Sequence, residues 1–109
     1  MTYRAYRLLV DDEGEFDREF HTFAERSYKR AARLLVRLRA FPDDPEGRGM
    51  FLRGSCKREL YLVGAIDDAA LVAVVDHEAR TIKPVRFLEP EEAGDREGIV
   101  RWAEEYLGI

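Results

Sequence analysis

Cysteine and long apolar runs are scarce in this chain, and each shortage excludes a class of protein. Cys56 is the only cysteine among 109 residues, so neither an internal disulfide nor a thiolate metal cluster can form. No apolar run approaches the ~20 residues that a membrane-spanning helix needs. The first residues also lack the basic-then-apolar order of a secretion signal. Together these shortages predict a cytoplasmic protein without a membrane-spanning segment.

The sequence motifs of the common metal and cofactor enzymes are missing as well. No HExxH, CxxC, Walker or GxGxxG pattern is present. A metal site made from Asp76, His77 and Glu78 would require three consecutive side chains to converge on one ion, which is rare. We therefore interpret the segment around His77 as a solvated turn, and we expect no metal ion and no cofactor.

Glycine and proline are both absent from residues 15–41, a stretch of 27 residues. Its apolar residues recur at steps of three or four, which predicts a long helix with one buried face. Phe20, Phe23, Leu34 and Leu38 lie on this face. Such a helix would be about 40 Å long, whereas four strands side by side span only about 19 Å. Either the helix overhangs the sheet and meets a second subunit, or it folds into a helical hairpin near Ser27.

Four further segments have the patterns of strands: residues 3–10, 59–66, 69–75 and 81–89. The first and last alternate between apolar and polar residues, whereas the middle two are nearly continuous apolar runs, as in buried strands. Pro84 cannot donate to a ladder, so the last strand is expected to lie at an edge or to bulge there. Short turns join the last three strands, which predicts an antiparallel meander.

The expected fold is a single α+β domain that comprises residues 1–109. Its element order is β-α-β-β-β-α, with an antiparallel meander sheet and the long helix, possibly a helical hairpin, packed on one face. We expect a loop at residues 42–49, while residues 50–52 are either a short strand or a packed loop. Asp95 is expected to cap a C-terminal helix.

The net charge of −4 conceals a basic central segment. Residues 26–58 carry ten arginine and lysine residues against three acidic ones, a local charge of +7, and both flanking segments are acidic. This asymmetry indicates either a surface for a polyanion or a helix face that acidic neighbours balance. We predict that five residues of this segment bind RNA: Arg30 and Arg33 on the long helix, and Arg53, Lys57 and Arg58 before the central strand.

The order of elements resembles the RelE/ParE superfamily of small bacterial toxins. The likeness rests on the segments RLLVRLRAFP, MFLRGSCKRELYLVGAIDD and ALVAVVDHEARTIKPVRFLE. It implies metal-independent binding or cleavage of RNA, which needs a proton acceptor, a proton donor and cations around the phosphorane. The resemblance places Arg86 where ribonuclease members often have a catalytic arginine on the last strand, and Tyr106 where a C-terminal tyrosine stands. With Lys57, these residues form the predicted catalytic set.

Two other interpretations remain open. The α-β-β-β-α core looks like the double-stranded-RNA-binding fold, but its last helix begins with acidic residues where that fold has lysines. The alternative of another class is a non-catalytic protein-binding module, such as a phage, immunity or accessory factor, acting through the long helix or the acidic C-terminal part. A homodimer or another protein contact through the long helix is also predicted. A ribonuclease needs Arg53, Lys57 or Arg58, and Arg86 on one concave surface, whereas a binding module does not.

Overall fold

The chain folds into a five-stranded sheet that carries helices on both faces. The computed structural model describes residues 2–9, 14–64 and 68–109. The strands are β1 (Arg7–Leu8), β2 (Gly49–Gly54), β3 (Arg58–Gly64), β4 (Ala70–Asp76) and β5 (Thr81–Leu88). The α-helices are α1 (Glu15–Arg26), α2 (Tyr28–Ala40), α3 (Pro45–Arg48), α4 (Pro90–Ala93) and α5 (Arg96–Leu107). The α+β class that the sequence predicts is confirmed.

The sheet has the strand order β1-β5-β4-β3-β2, in which β2 to β5 form an antiparallel meander and β1 runs parallel to β5. The meander has one strand more than predicted, because residues 50–52 belong to β2 and do not form a loop. The register between β4 and β5 shifts between Val72 and Ala73, which lie opposite Arg86 and Pro84. The predicted bulge at Pro84 is therefore confirmed.

The predicted long helix is broken at Ser27, so the hairpin alternative describes it better than one continuous helix. Ser27 has a φ of −150° and a ψ of 76°, well outside the helical region, and α1 ends on one side of it while α2 starts on the other. Serine is a weak helix former because its hydroxyl competes for backbone hydrogen bonds. The break removes the length mismatch that motivated self-association through this segment, and a homodimer remains only a prediction.

Two hydrophobic cores lie on the two faces of the sheet. On one face, α1 and α2 bury Phe20, Phe23, Leu34 and Leu38, the residues that the helical periodicity selects. Phe23 and Phe20 pack against Phe87 of β5, with ring centroids 4.8 and 6.1 Å apart. On the other face, α5 contributes its apolar residues to the core: Ile99, Ala103 and Leu107. The sheet is thus the middle layer of three.

Two local predictions are wrong. The first strand comprises only Arg7–Leu8, because the chain before it bends and inserts Tyr3 into the aromatic core beside Phe41; position 10 lies outside the described residues. The expected loop at 42–49 instead contains a 3-10 helix (Phe41–Asp43) and α3. At the other end of the chain, the predicted cap is confirmed, since Asp95 accepts a hydrogen bond from the Gly98 N–H.

Within the described part of the chain, no helix combines the length and the apolar character that a membrane crossing requires.

Candidate nucleic-acid interface

Arg86 lies on β5 and faces the α5 side of the sheet. Its guanidinium carbon is 5.2 Å from the centre of the Trp102 ring, and Nη2 is 3.3 Å from a carboxylate oxygen of Glu92. A cation over an indole face is attracted by the ring quadrupole, so Trp102 positions the guanidinium while Glu92 balances its charge. The Arg86 side chain nevertheless stays 29% exposed.

Trp102 begins a row of aromatic and basic side chains along α5. Its ring centre lies 5.3 Å from that of Tyr106, one helical turn further on, and the guanidinium of Arg58 lies 5.6 Å from the Tyr106 ring centre. Two neighbouring rings, Tyr106 and Trp102, therefore lie between two guanidinium groups, those of Arg58 and Arg86. We name this set the arginine–aromatic row. It brings together two of the three predicted catalytic residues and one predicted RNA-binding residue.

Arg53 lies on the same face of the sheet but on the other side of α5. Its Nε is 3.4 Å from a carboxylate oxygen of Glu104, whereas Arg86 contacts Trp102. Positions 102 and 104 point about 200° apart on a helix, so α5 separates the two arginines. They are also three strands apart, or about 14 Å across the sheet. With α5 in this position, Arg53 and Arg86 do not line a common surface.

A cleft of about 530 Å³ opens at the Arg86 end of the row. Among the described residues, β1 pairs only with Thr81 and Ile82, so the second half of β5 is an open edge and the cleft follows it. The charged lining comprises Arg86, Arg26, Glu19, Glu89 and Glu92. We name this cavity the β5-edge cleft. It combines two guanidinium groups with carboxylates, and Trp102 forms part of its wall.

Arg26 and Glu89 form an ion pair within the β5-edge cleft. Glu89 also belongs to the capping box of α4: its carboxylate accepts from the backbone of Glu92, and the Glu92 carboxylate accepts from the Glu89 N–H. Both carboxylates are therefore held by backbone groups as well as by arginines. The cleft contains charges of both signs at defined positions, which is the minimum arrangement for acid–base chemistry on a phosphodiester.

The remaining predicted residues lie away from this cleft. Lys57 is 67% exposed in the turn before β3 and forms an ion pair of 3.2 Å with Glu78. Arg30 donates from Nε to Asp68 at 2.7 Å, and Arg33 lies 3.7 Å from the same carboxylate. Burial works against ionisation of Asp68, but the Ala69 N–H, Arg30 and Arg33 hold its pKa below the ordinary value. The positive charges of Arg30 and Arg33 on α2 are thus balanced within the protein by Asp68.

Trp102 is the residue that sequence reasoning missed. Its helical spacing with Ile99 and Ala103 places it on the buried side of α5, and it is indeed half-buried. Its spacing of four from Tyr106 indicates an aromatic pair on one side of the helix. No local pattern, however, indicates which strand arginines lie under that pair, because this depends on how α5 is placed on the sheet.

His77 lies in the predicted turn after β4, where residues 78–80 are exposed, but its own side chain is only 28% exposed and has two partners. Its Nε2 lies 2.5 Å from a carboxylate oxygen of Glu59, and its Nδ1 lies 2.7 Å from the Tyr6 hydroxyl. The Tyr61 hydroxyl donates to the other oxygen of Glu59 at 3.0 Å and lies 3.1 Å from the Tyr3 hydroxyl. We name these five residues the tyrosine–histidine network. It ties the N-terminal segment to β3 and to the turn after β4.

Two hydroxyls of this network are hard to ionise. Burial raises the pKa of Tyr61, and the hydrogen bonds with Tyr3 and Glu59 raise it further. Burial also raises the pKa of Tyr3, although the hydrogen bond with Tyr61 lowers it.

Among the described residues, no group of three or more histidine, cysteine, aspartate and glutamate side chains is arranged to hold a metal ion.

The raised pKa of Tyr61 makes folding stability sensitive to alkaline pH. The folded protein keeps the phenolic proton above pH ~10, where an unfolded tyrosine loses it. This contribution to the free energy of unfolding is therefore complete below pH ~10 and declines as the pH rises further. We expect the free energy of unfolding of Tyr61→Phe to decline less steeply with pH than that of the original protein. Urea unfolding at pH 8, 10 and 11 measures both. Equal slopes for the two proteins would contradict this assignment.

Tyr28→Phe is the matched control for this titration. Tyr28 is 78% exposed, so its replacement is expected to leave the alkaline decline as it is in the original protein.

The architecture is that of an α+β protein whose sheet carries a helical pair on one face and a terminal helix on the other. It is similar to the crystal structure of the archaeal RelE–RelB complex from Pyrococcus horikoshii OT3, with a TM-score of 0.54. The two chains are 18% identical, and the match covers 78% of this chain and 94% of the other. The similarity concerns the fold and confirms the RelE-like topology. No protein-family model and no curated protein matches the sequence.

Proposed function

We propose that this chain is a toxin-type protein with a RelE-like fold that binds single-stranded RNA along the arginine–aromatic row. The observation that carries the proposal is the pair of neighbouring rings, Trp102 and Tyr106, on α5 with Arg86 at one end and Arg58 at the other. Bases stack on aromatic rings, and phosphates pair with arginines, so this arrangement fits a single strand of any sequence. Each stacked base contributes about 1–3 kcal/mol.

The β5-edge cleft is the proposed place of cleavage. A carboxylate of Glu89 or Glu92 takes the proton of the ribose 2′-hydroxyl, and the 2′-oxygen attacks phosphorus. Arg86 and Arg26 stabilise the phosphorane, and the same carboxyl group returns its proton to the 5′-oxygen as the bond from that oxygen to phosphorus breaks, which leaves a 2′,3′-cyclic phosphate. The ion pairs Arg86–Glu92 and Arg26–Glu89 separate as the phosphate enters. In this scheme Tyr106 stacks on a base, and the predicted catalytic role of Lys57 remains a separate hypothesis.

The second candidate is the non-catalytic protein-binding module. The ion pairs of Arg53 with Glu104 and of Arg86 with Glu92 favour it, since both arginines are already neutralised within the protein. The two functions differ in what happens when RNA is added at low salt.

RNA binding is expected to weaken steeply with salt, because each arginine–phosphate contact releases a counterion. The log–log slope is about −0.7 per contact on single strands, so Arg58→Ala should make the slope shallower by about that amount. Filter binding of a single-stranded RNA at several salt concentrations measures this slope. Arg101→Ala is the control, because Arg101 lies on the same helix and is exposed but outside the row. Absence of binding at low salt, with no growth defect on induced expression, would leave the protein-binding module as the function.

A further inference from the structure

A second cavity, of about 930 Å³, lies between α2, the start of β2 and the turn from α4 to α5. Its described lining contains no carboxylate, no aromatic ring and no neutral polar side chain. Four of its residues are arginines, and all the others are glycine, alanine, valine, methionine or leucine. We name this cavity the arginine groove. None of the residues of the arginine–aromatic row lines it.

Most of the positive charge in the arginine groove is not neutralised by the described part of the protein. Arg33 is shared with Asp68, but Arg37, Arg48 and Arg96 are exposed and form no ion pair with any described residue. Several like charges around one groove attract an anion from solution, because low-dielectric walls focus their field. Although the chain has a net charge of −4, this groove is locally positive and attracts an acidic ligand.

The floor of the arginine groove decides which kind of acidic ligand fits. Val36 is 64% exposed there, and Met50 and Leu62 are half-buried. Single-stranded nucleic acid is normally held by aromatic platforms, and this groove has none. Aliphatic side chains favour aliphatic partners, so the floor fits leucine-like side chains better than bases.

One backbone edge beside the arginine groove is open to another chain. β2 lies at the edge of the sheet and, among the described residues, pairs only with β3. An edge strand offers unpaired amide and carbonyl groups to an extended segment.

We propose that the arginine groove is the docking site for an acidic segment of a partner protein that also carries aliphatic side chains. The carboxylates of the segment pair with Arg37, Arg48 and Arg96, and its aliphatic side chains cover Val36. This proposal is independent of RNA binding, because it uses a different cavity and different residues.

The test uses a short fluorescein-labelled peptide that alternates glutamate with leucine, and fluorescence anisotropy measures its binding to the full chain. We expect the combined variant Arg37→Ala, Arg48→Ala and Arg96→Ala to weaken binding by about 30-fold, since each exposed ion pair contributes roughly 3-fold. Val36→Ser should weaken binding several-fold without changing any charge. Both variants alter exposed side chains, so thermal unfolding should show that they remain folded.

The control variant is Arg18→Ala, Arg39→Ala and Arg101→Ala, which removes three exposed arginines outside the groove. It should retain most of the affinity for the peptide. Peptides with lysine for glutamate, or serine for leucine, should bind much more weakly. An equal loss with the control variant, or equal binding of the three peptides, would overturn the proposal. Two other outcomes would also overturn it. In the first, the original protein does not bind the peptide and the groove variant loses RNA binding, so that the groove holds RNA. In the second, the groove variant loses self-association in sedimentation, so that the groove holds a second copy of this chain.

Discussion

Replacing Arg86 by alanine is expected to slow RNA cleavage by roughly 100-fold or more. The guanidinium is positioned by Trp102 and lies in the β5-edge cleft, where the proposed scheme develops negative charge on the phosphorane oxygens. Its contribution is therefore largest in the transition state. RNA binding should weaken much less, by about the one phosphate contact that is removed. Single-turnover cleavage of a labelled RNA, with binding measured in parallel, separates the two effects.

Two further variants make this experiment specific. Trp102→Ala should weaken binding by an amount close to the ~1–3 kcal/mol of one stacked base, and it should also slow cleavage because Trp102 positions Arg86. Arg86→Lys keeps the charge but loses the planar fork, so it should recover only part of the cleavage rate. If Arg86→Ala and Arg101→Ala cleave at the same rate as the original protein, the cleft is not the place of cleavage. The assay is run with and without EDTA, because the proposed scheme uses no metal ion.

Periodicity predicted which face of the long helical segment packs on the sheet, because it records the side of an element that is buried; the place of α5 on the other face was not predicted. Phe20 and Leu34 recur at helical steps and lie in the core, and Pro84 marks the bulge in β5. The break at Ser27 was recognised only as one of two alternatives. No glycine or proline marks the break in the sequence. The reason for it is that the sheet is narrower than one continuous helix would be long, and the width of the sheet is a property of the whole fold. Residues 50–52 were also ambiguous between a strand and a loop, because a strand at the sheet edge has little of its surface buried.

The candidate site was less predictable than the fold because it depends on relations between distant elements. The sequence indicates Arg58 as a basic residue before the central strand, and the family resemblance indicates Arg86, but the helix that covers that face decides what they contact. The packing of α5 places Trp102 over Arg86 and Tyr106 over Arg58, and it separates Arg53 from Arg86. The partner of His77 could not be found from its own turn, since Glu59 lies on another strand.

The second large effect is expected in the core beneath α2. Replacing Leu34 by alanine should lower the free energy of unfolding by about 2–5 kcal/mol. Leu34 is 3% exposed and belongs to the core on the α1 and α2 face of the sheet. The loss combines the transfer free energy of the deleted methyl groups with the cavity that the sheet cannot close. Urea unfolding at neutral pH measures it.

Val36→Ala is the matched control for Leu34→Ala, because both residues lie on α2 and both changes remove apolar groups. Val36 is 64% exposed, and its position is about 200° around the helix from that of Leu34. We expect this variant to change the free energy of unfolding by less than about 0.5 kcal/mol. A loss for Leu34→Ala as small as that of the control would mean that α2 does not present this side to the sheet. The arginine groove, which α2 lines with Arg33, Val36 and Arg37, would then have to be reassigned.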